Sequence, residues 1–167
     1  GWAVGAADST RDCRSVASTA DRLIAPVQTV EPVVREYGAA ESAVSVIPEG
    51  LDFSLIESAS VNDEFDLVYS RQLDSHANAE TFLLALAELR DRDWSAAIIG
   101  NGDAASDIER TARDLRIHDR VSFLGELGDQ QRVAVLKGAH VFAQTAEQEP
   151  FATNLLWGLA CGCVGIA

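Results

Sequence analysis

The rhythm of apolar and polar positions changes near residue 66. Beyond it, short apolar runs alternate with stretches in which apolar side chains recur every third or fourth position. Leu67-Val68-Tyr69, Ala96-Ala97-Ile98-Ile99, Val121-Ser122-Phe123-Leu124 and Ala139-His140-Val141-Phe142-Ala143 read as strands. Helices are predicted over Ala79 to Leu89, with Phe82, Leu83, Leu86 and Leu89 on one face, over Ala104 to Leu115 and over Asp129 to Lys137. The polar Gln144 to Gln148 must then be a loop, and Pro150 suits the first turn of a further helix, where its missing N–H costs nothing. Phe151, Leu155, Leu156, Leu159 and Ala160 continue that helix, and Gly162 ends it as a C-cap would. Short apolar strands alternating with helices through brief loops predict an α/β domain with a doubly wound parallel sheet covered on both faces.

The first part of the chain is less regular. A helix is expected from Ser9 to Ala20, a buried strand over Arg22 to Val27, a helix from about Thr29 to Tyr37 with Pro32 in its first turn, and a strand over Val44 to Ile47. Pro48-Glu49-Gly50-Leu51-Asp52 turns the chain out of that strand. Phe53 to Phe65, with Ser54, Ser58, Ser60, Asn62 and Asp63, carries too few periodic apolar positions for a core element and reads as a linker. Residues 1–58 are therefore expected to be the end of one domain plus the linker, and residues 59–167 a second domain. The chain opens at Gly1-Trp2 without Met and stops at Val164-Gly165-Ile166-Ala167, inside what looks like a strand, so a fragment is expected.

Composition narrows the function classes. Lys plus Arg number 13 against 26 Asp plus Glu, a net charge of −13, and Lys137 is the sole lysine. Nucleic-acid backbones would be repelled, and an acidic, lysine-poor surface suits a salt-rich cytoplasm in which screening removes the self-repulsion. An ordinary acidic protein is the plainer alternative. Cys13, Cys161 and Cys163 make no disulfide framework, and Cys161-Gly162-Cys163 lacks the spacing and second ligand pair of a zinc site. No apolar run is long enough to span a bilayer and no signal peptide is visible, so a cytoplasmic location is expected, with peripheral membrane association left open.

In a doubly wound sheet, ligands bind off the carboxyl ends of the strands. The residues standing there are Ser70-Arg71, Gly100-Asn101-Gly102-Asp103, Gly125-Glu126-Leu127 and the loop leading to Glu149. Arg71 is a strand-end cation whose guanidinium fork suits a diphosphate, with a surface salt bridge as the alternative. Gly100-Asn101-Gly102 permits close backbone approach to a ligand but lacks the third glycine of a dinucleotide fingerprint, Ala105 standing in its place. His76 is a base, a phosphate ligand or merely an exposed loop histidine. The start of the last helix, with its unpaired N–H groups, offers a phosphate site, and Glu149 beside it suits sugar hydroxyls.

Six ordered segments carry a family resemblance. They are Ala20-Asp21-Arg22-Leu23-Ile24-Ala25, Val46-Ile47-Pro48-Glu49-Gly50-Leu51-Asp52, Tyr69-Ser70-Arg71-Gln72-Leu73, Ile99-Gly100-Asn101-Gly102, Val121-Ser122-Phe123-Leu124-Gly125, and the run from Glu149 to Gly162. Together they resemble the retaining nucleotide-sugar glycosyltransferases of the glycosyltransferase-B fold, the family 4-like "glycosyl transferases group 1" that includes glycogen synthases and bacterial mannosyltransferases. The resemblance implies that the first part closes an N-terminal acceptor-side domain, with the rest a C-terminal, Rossmann-like donor-binding domain lacking its last elements.

It also implies site roles. Arg71 would bind the donor diphosphate, and Leu124 with Gly125 would lie along the base. Glu149 would hold sugar hydroxyls while the backbone at Phe151, Ala152 and Thr153 meets sugar and phosphate. His76 and Ala77 stand where the family has a lysine, Trp157 where it has a ribose-binding glutamate, and Phe151-Ala152 where it has Phe-Gly. The expected substrate is a nucleotide-sugar donor, with no further cofactor and no metal, and an acceptor that is a glycan, a lipid or a small molecule. No general base is evident. The principal alternative is an inactive nucleotide-sugar-binding or scaffold protein of the same fold. An epimerase of related architecture would need acid and base residues that are not found.

Overall fold

A computed structural model describes residues 9–61, 63–146 and 152–167. The chain divides into two compact units, residues 1–50 and 51–167.

In the first unit, α1 (Ser9–Thr19), β1 (Leu23–Ala25), α2 (Glu31–Glu36) and β2 (Val44–Val46) follow in order. β1 and β2 pair in parallel, Leu23 opposite Val44 and Ala25 opposite Val46. The strand expected to be buried is shorter and only partly so. Ala25 is fully buried while Ile24 is 65% exposed, because successive strand side chains point to opposite faces. α2 takes Pro32 in its first turn, and Gly38, at φ +105°, follows its end in the left-handed region.

The second unit opens on α3 (Phe53–Ser58), where a linker was expected. Two features outside apolar periodicity form this helix. Asp52 caps it by accepting from the Leu55 N–H at 3.1 Å, and the Lys137 ammonium donates to the carbonyls of Ile56 at 2.9 Å and Ala59 at 2.6 Å at its other end. Ile56 and Ala59 then pack with Val133 of α6 (Asp129–Lys137) into a small apolar cluster.

The remaining elements are β3 (Phe65–Ser70), α4 (Ala79–Glu88), β4 (Ala96–Ile99), α5 (Ala105–Asp114), β5 (Val121–Gly125), α6, β6 (Ala139–Ala143), α7 (Thr153–Ala160) and β7 (Val164–Ile166). The five strands form one parallel sheet in the order β5-β4-β3-β6-β7. Alternation along the strands supplies both faces. Tyr69, Ala96, Ile98 and Ala143 join Phe82, Leu83 and Leu86 of α4 and Ile108 and Ala112 of α5. Val68, Ala97, Ile99 and Phe142 join Val135 and Leu136 of α6, with Leu155 and Trp157 of α7 packed against them. Each large side chain buried in this way contributes about 1.5–3 kcal/mol. The sheet is therefore doubly wound, as the alternation of strand and helix predicts.

α7 begins later than Pro150 would place it. Its first residue is Thr153, preceded by Ala152 in the left-handed conformation at φ 53°, ψ 41°. Pro150 lies outside the described residues. The helix presses closely on the sheet at Gly158, where a Cβ would come within 2.7 Å of the Phe142 ring. Among the described residues, no helix is long and apolar enough to cross a membrane.

Candidate functional site

The chain runs from β3 outward through β4 to β5, then returns to place β6 on the other side of β3. The order of strands thus reverses at β3 and β6, and loops leaving the sheet there diverge and open a crevice. A cavity of about 630 Å³ occupies it, lined by the carboxyl ends of β3 and β4, by Glu126 and Leu127 after β5, by Arg132 of α6 and by Asn154 in the first turn of α7. Arg71, Gly100, Asn101 and Gly102 are all on its wall.

The floor is a zipper among the segments that leave β3, β4 and β5. The Arg71 N–H donates to the Ile99 carbonyl at 3.0 Å, Leu73 to Asn101 at 2.9 Å, Ala104 to Leu73 at 3.0 Å, and Gly100 to Gly125 at 2.7 Å. Such contact leaves no room for side chains at the glycines. A Cβ on Gly100 would stand 1.9 Å from the Arg71 carbonyl oxygen, and one on Gly102 would stand 2.2 Å from that of Leu73. Both glycines also adopt positive φ, +138° and +155°. Their requirement is for backbone meeting backbone, which fixes Arg71 on the cavity wall. Asn101 adds a local turn, its Oδ1 accepting from the Gly102 N–H at 2.8 Å.

A second tie holds the loop that leads toward α7. The Asn78 side chain donates to the Thr145 carbonyl at 3.0 Å, and the Thr145 hydroxyl donates to the Asn78 carbonyl at 2.7 Å. Asn78 is itself left-handed, at φ 52°. This reciprocal pair joins the exit of β6 to the β3–α4 loop. Tyr69 braces the same loop from below, its hydroxyl donating to the Ala77 carbonyl at 2.5 Å.

Not every residue singled out from sequence stands on the cavity. His76 is exposed, its N–H held by the Asp74 carboxylate at 2.9 Å. Leu124 packs against the sheet cluster, and Gly125 contributes its carbonyl to the floor. Ala152 and Thr153 are half-buried at the start of α7, where Asn154 takes the place on the wall. Trp157 packs against two apolar clusters with the Arg132 guanidinium 5.4 Å from its ring centre. Glu149 and Phe151 lie outside the described residues. Among the described residues, no group of three or more His, Cys, Asp or Glu is placed to hold a metal ion.

Gln72, Ile99, Arg132 and Asn154 are the wall residues not singled out as site candidates from sequence. A signal for Arg132 existed: it is the fourth residue of a helix that follows β5 through a short loop, and helical side chains lean toward the N-terminus, here toward the strand ends.

The family model for glycosyl transferases group 1 matches residues 53–167. The chain belongs to this family. Among curated relatives, it is 23% identical over 164 residues to an alpha-monoglucosyldiacylglycerol synthase of Streptococcus pneumoniae, covering 88% of this chain and 37% of that protein. Among solved structures, HepE of Anabaena, in complex with UDP and glucose, superposes with a TM-score of 0.79 at 19% identity, over 96% of this chain and 48% of HepE. Sucrose-phosphate synthase of Thermosynechococcus elongatus gives 0.77 at 20%, over 96% of this chain and 43% of that one. The group 1 glycosyltransferase chain described here thus spans less than half the length of these relatives. The likeness fixes the architecture as the Rossmann-like half of the glycosyltransferase-B fold.

Proposed function

We propose that residues 51–167 bind a nucleotide-sugar donor, and that the protein to which they belong transfers the sugar to an acceptor with retention of anomeric configuration in a salt-rich cytoplasm. One observation carries this reading: Arg71 stands on the wall of the switch-point cavity, on a floor made rigid by Gly100 and Gly102, in a chain of the glycosyl transferases group 1 family. A guanidinium there offers paired donors to a diphosphate. Charge that develops on that diphosphate as the sugar leaves is what a fixed cation and the first N–H groups of α7 would stabilise. HepE holds UDP and glucose, which agrees with such a ligand.

A second reading, a binding or scaffold protein without catalysis, draws on Trp157. The family resemblance places a ribose-binding carboxylate at this position, and here an indole packs against two apolar clusters. Calorimetric titration of the full-length protein with ADP, GDP and UDP tests the binding step common to both. One of them should bind, and Arg71→Ala should weaken it about tenfold to a hundredfold while sparing the free nucleoside, because a charge-assisted pair of hydrogen bonds is lost. Equal weakening of both ligands would place Arg71 elsewhere. Turnover of a nucleotide sugar then separates enzyme from scaffold.

A further inference from the structure

Tyr69, Ser95 and Thr145 each pair their hydroxyl within the chain, with the Ala77 carbonyl, the Asp66 carboxylate and the Asn78 carbonyl. Ser70 does not. It is the last residue of β3 and only 7% exposed, yet among the described residues its hydroxyl has no hydrogen-bond partner. The fold gains nothing from this, because a hydroxyl taken out of water without a replacement hydrogen bond lowers stability. The little surface that Ser70 keeps opens on the cavity, where it stands on the wall with Arg71 and Asn154. Its hydroxyl therefore awaits a partner from outside the chain.

Strand alternation says which way Ser70 faces. Tyr69 packs with α4 and α5 and Val68 with α6 and α7, so Ser70, two places on from Val68, points to the α7 side of the sheet. A recess of about 10 Å³ adjoins the cavity there, lined by Ser70 and Arg71 of the β3 end, Phe142 and Gln144 of the β6 end, and Asn154 of α7. That volume is roughly one water-sized sphere, so it admits a single oxygen and excludes a ring. Charge selects which oxygen. Arg71 lines the recess, and Asn154, in the first turn of α7, marks the positive end of that helix's dipole. Among the described residues no carboxylate lines the recess, whereas Asp103 and Glu126 stand on the wall of the larger cavity. A hydroxyl in so positive a setting serves as donor to an anion. We propose that Ser70 is a binding residue for the donor's diphosphate, its hydroxyl donating to a phosphate oxygen seated in this recess. The proposal rests on the donor-binding reading above and adds a neutral, buried ligand to the exposed guanidinium of Arg71.

The test uses the full-length protein with the best-bound of ADP, GDP and UDP together with its own free nucleoside, by calorimetry for the diphosphate and ligand-observed NMR for the nucleoside. Ser70→Ala removes the hydroxyl and adds no bulk. It should weaken the diphosphate about tenfold, the loss of one hydrogen bond to a charged group, and leave the nucleoside unchanged. The unfolding midpoint of the ligand-free variant should hold or rise, since no hydrogen bond within the chain is lost. A lower midpoint would show that the hydroxyl has a partner inside the fold and overturn the proposal. Unchanged diphosphate affinity would overturn it too, and so would equal weakening of both ligands, which sets Ser70 against ribose or base. Each of these failures leaves the donor reading standing. A wild-type protein that binds none of the three diphosphates fails at an earlier step and overturns the donor reading itself.

Discussion

Cys163 shows how one buried group makes stability depend on pH. Its thiol lies within 3.2 Å of the Leu136 carbonyl and 3.4 Å of the Ala139 carbonyl, and burial pushes its pKa up to about 11. The unfolded thiol titrates near about 8.5. Between those values the folded chain keeps a proton that the unfolded chain has released, so the stabilising contribution is complete below about 8.5 and is lost as pH rises toward about 11. Denaturant midpoints measured from pH 8 to 10.5 should therefore fall. Cys163→Ala should shrink the slope without abolishing it, since burial also raises the Cys161 thiol. A slope identical in the variant would assign the effect elsewhere. Cysteines that make neither a disulfide framework nor a metal site are expected to be buried small residues, which Cys163 is, while Cys13 and Cys161 are only half-buried. The two carbonyls facing the sulfur come from positions 27 and 24 residues away, a proximity that only the fold creates.

Helix α7 was legible at its C-terminal end and less so at its start. Gly162, at φ +101°, follows its last turn as expected, and Leu155 and Trp157 face the sheet cluster. The start was misplaced because proline tolerance marks a permitted first turn, whereas the left-handed Ala152 decides where helical hydrogen bonding begins. α3 was missed because its formation depends on a side-chain cap and a distant lysine rather than on period. In α7 the indole of Trp157 joins two apolar clusters, so this helix should be sensitive there. Trp157→Glu should lower unfolding free energy by about 2–4 kcal/mol, for a carboxylate set among apolar groups, and Trp157→Phe by about half as much. Chemical denaturation of both variants checks this. Equal, negligible losses would show that α7 is held by its other contacts.

The molecule carries 26 acidic and 13 basic side chains, and its visible ion pairs are mostly local. Arg110 with Asp107, Arg113 with Glu109 and Arg132 with Asp129 all lie within one helical turn. Such pairs leave most of the acidic excess uncompensated. Self-repulsion of that excess is screened within about 8 Å at physiological ionic strength and within about 3 Å at 1 M. Thermal midpoints should therefore climb steadily from 0.05 to about 2 M potassium chloride, with the largest gain where screening first sets in. A flat profile would separate the acidic composition from salt adaptation. The fold class was the most legible property of all, because strand alternation and helical period leave few topologies once loops are short. The composition of the cavity was least legible, since Arg71, Arg132 and Asn154 come from three separate elements and meet only when the sheet order reverses.

Lys137 holds the sole side-chain amine in the sequence, and both of its recorded hydrogen bonds go to carbonyls at the end of α3. Acylating reagents need that nitrogen uncharged and unshielded, so they reach it when α3 lets go. Labelling of this single site consequently works as a clock for one local motion, and its rate, compared with that of a free amine, reads out how often the edge of the domain comes undone while the sheet stays whole.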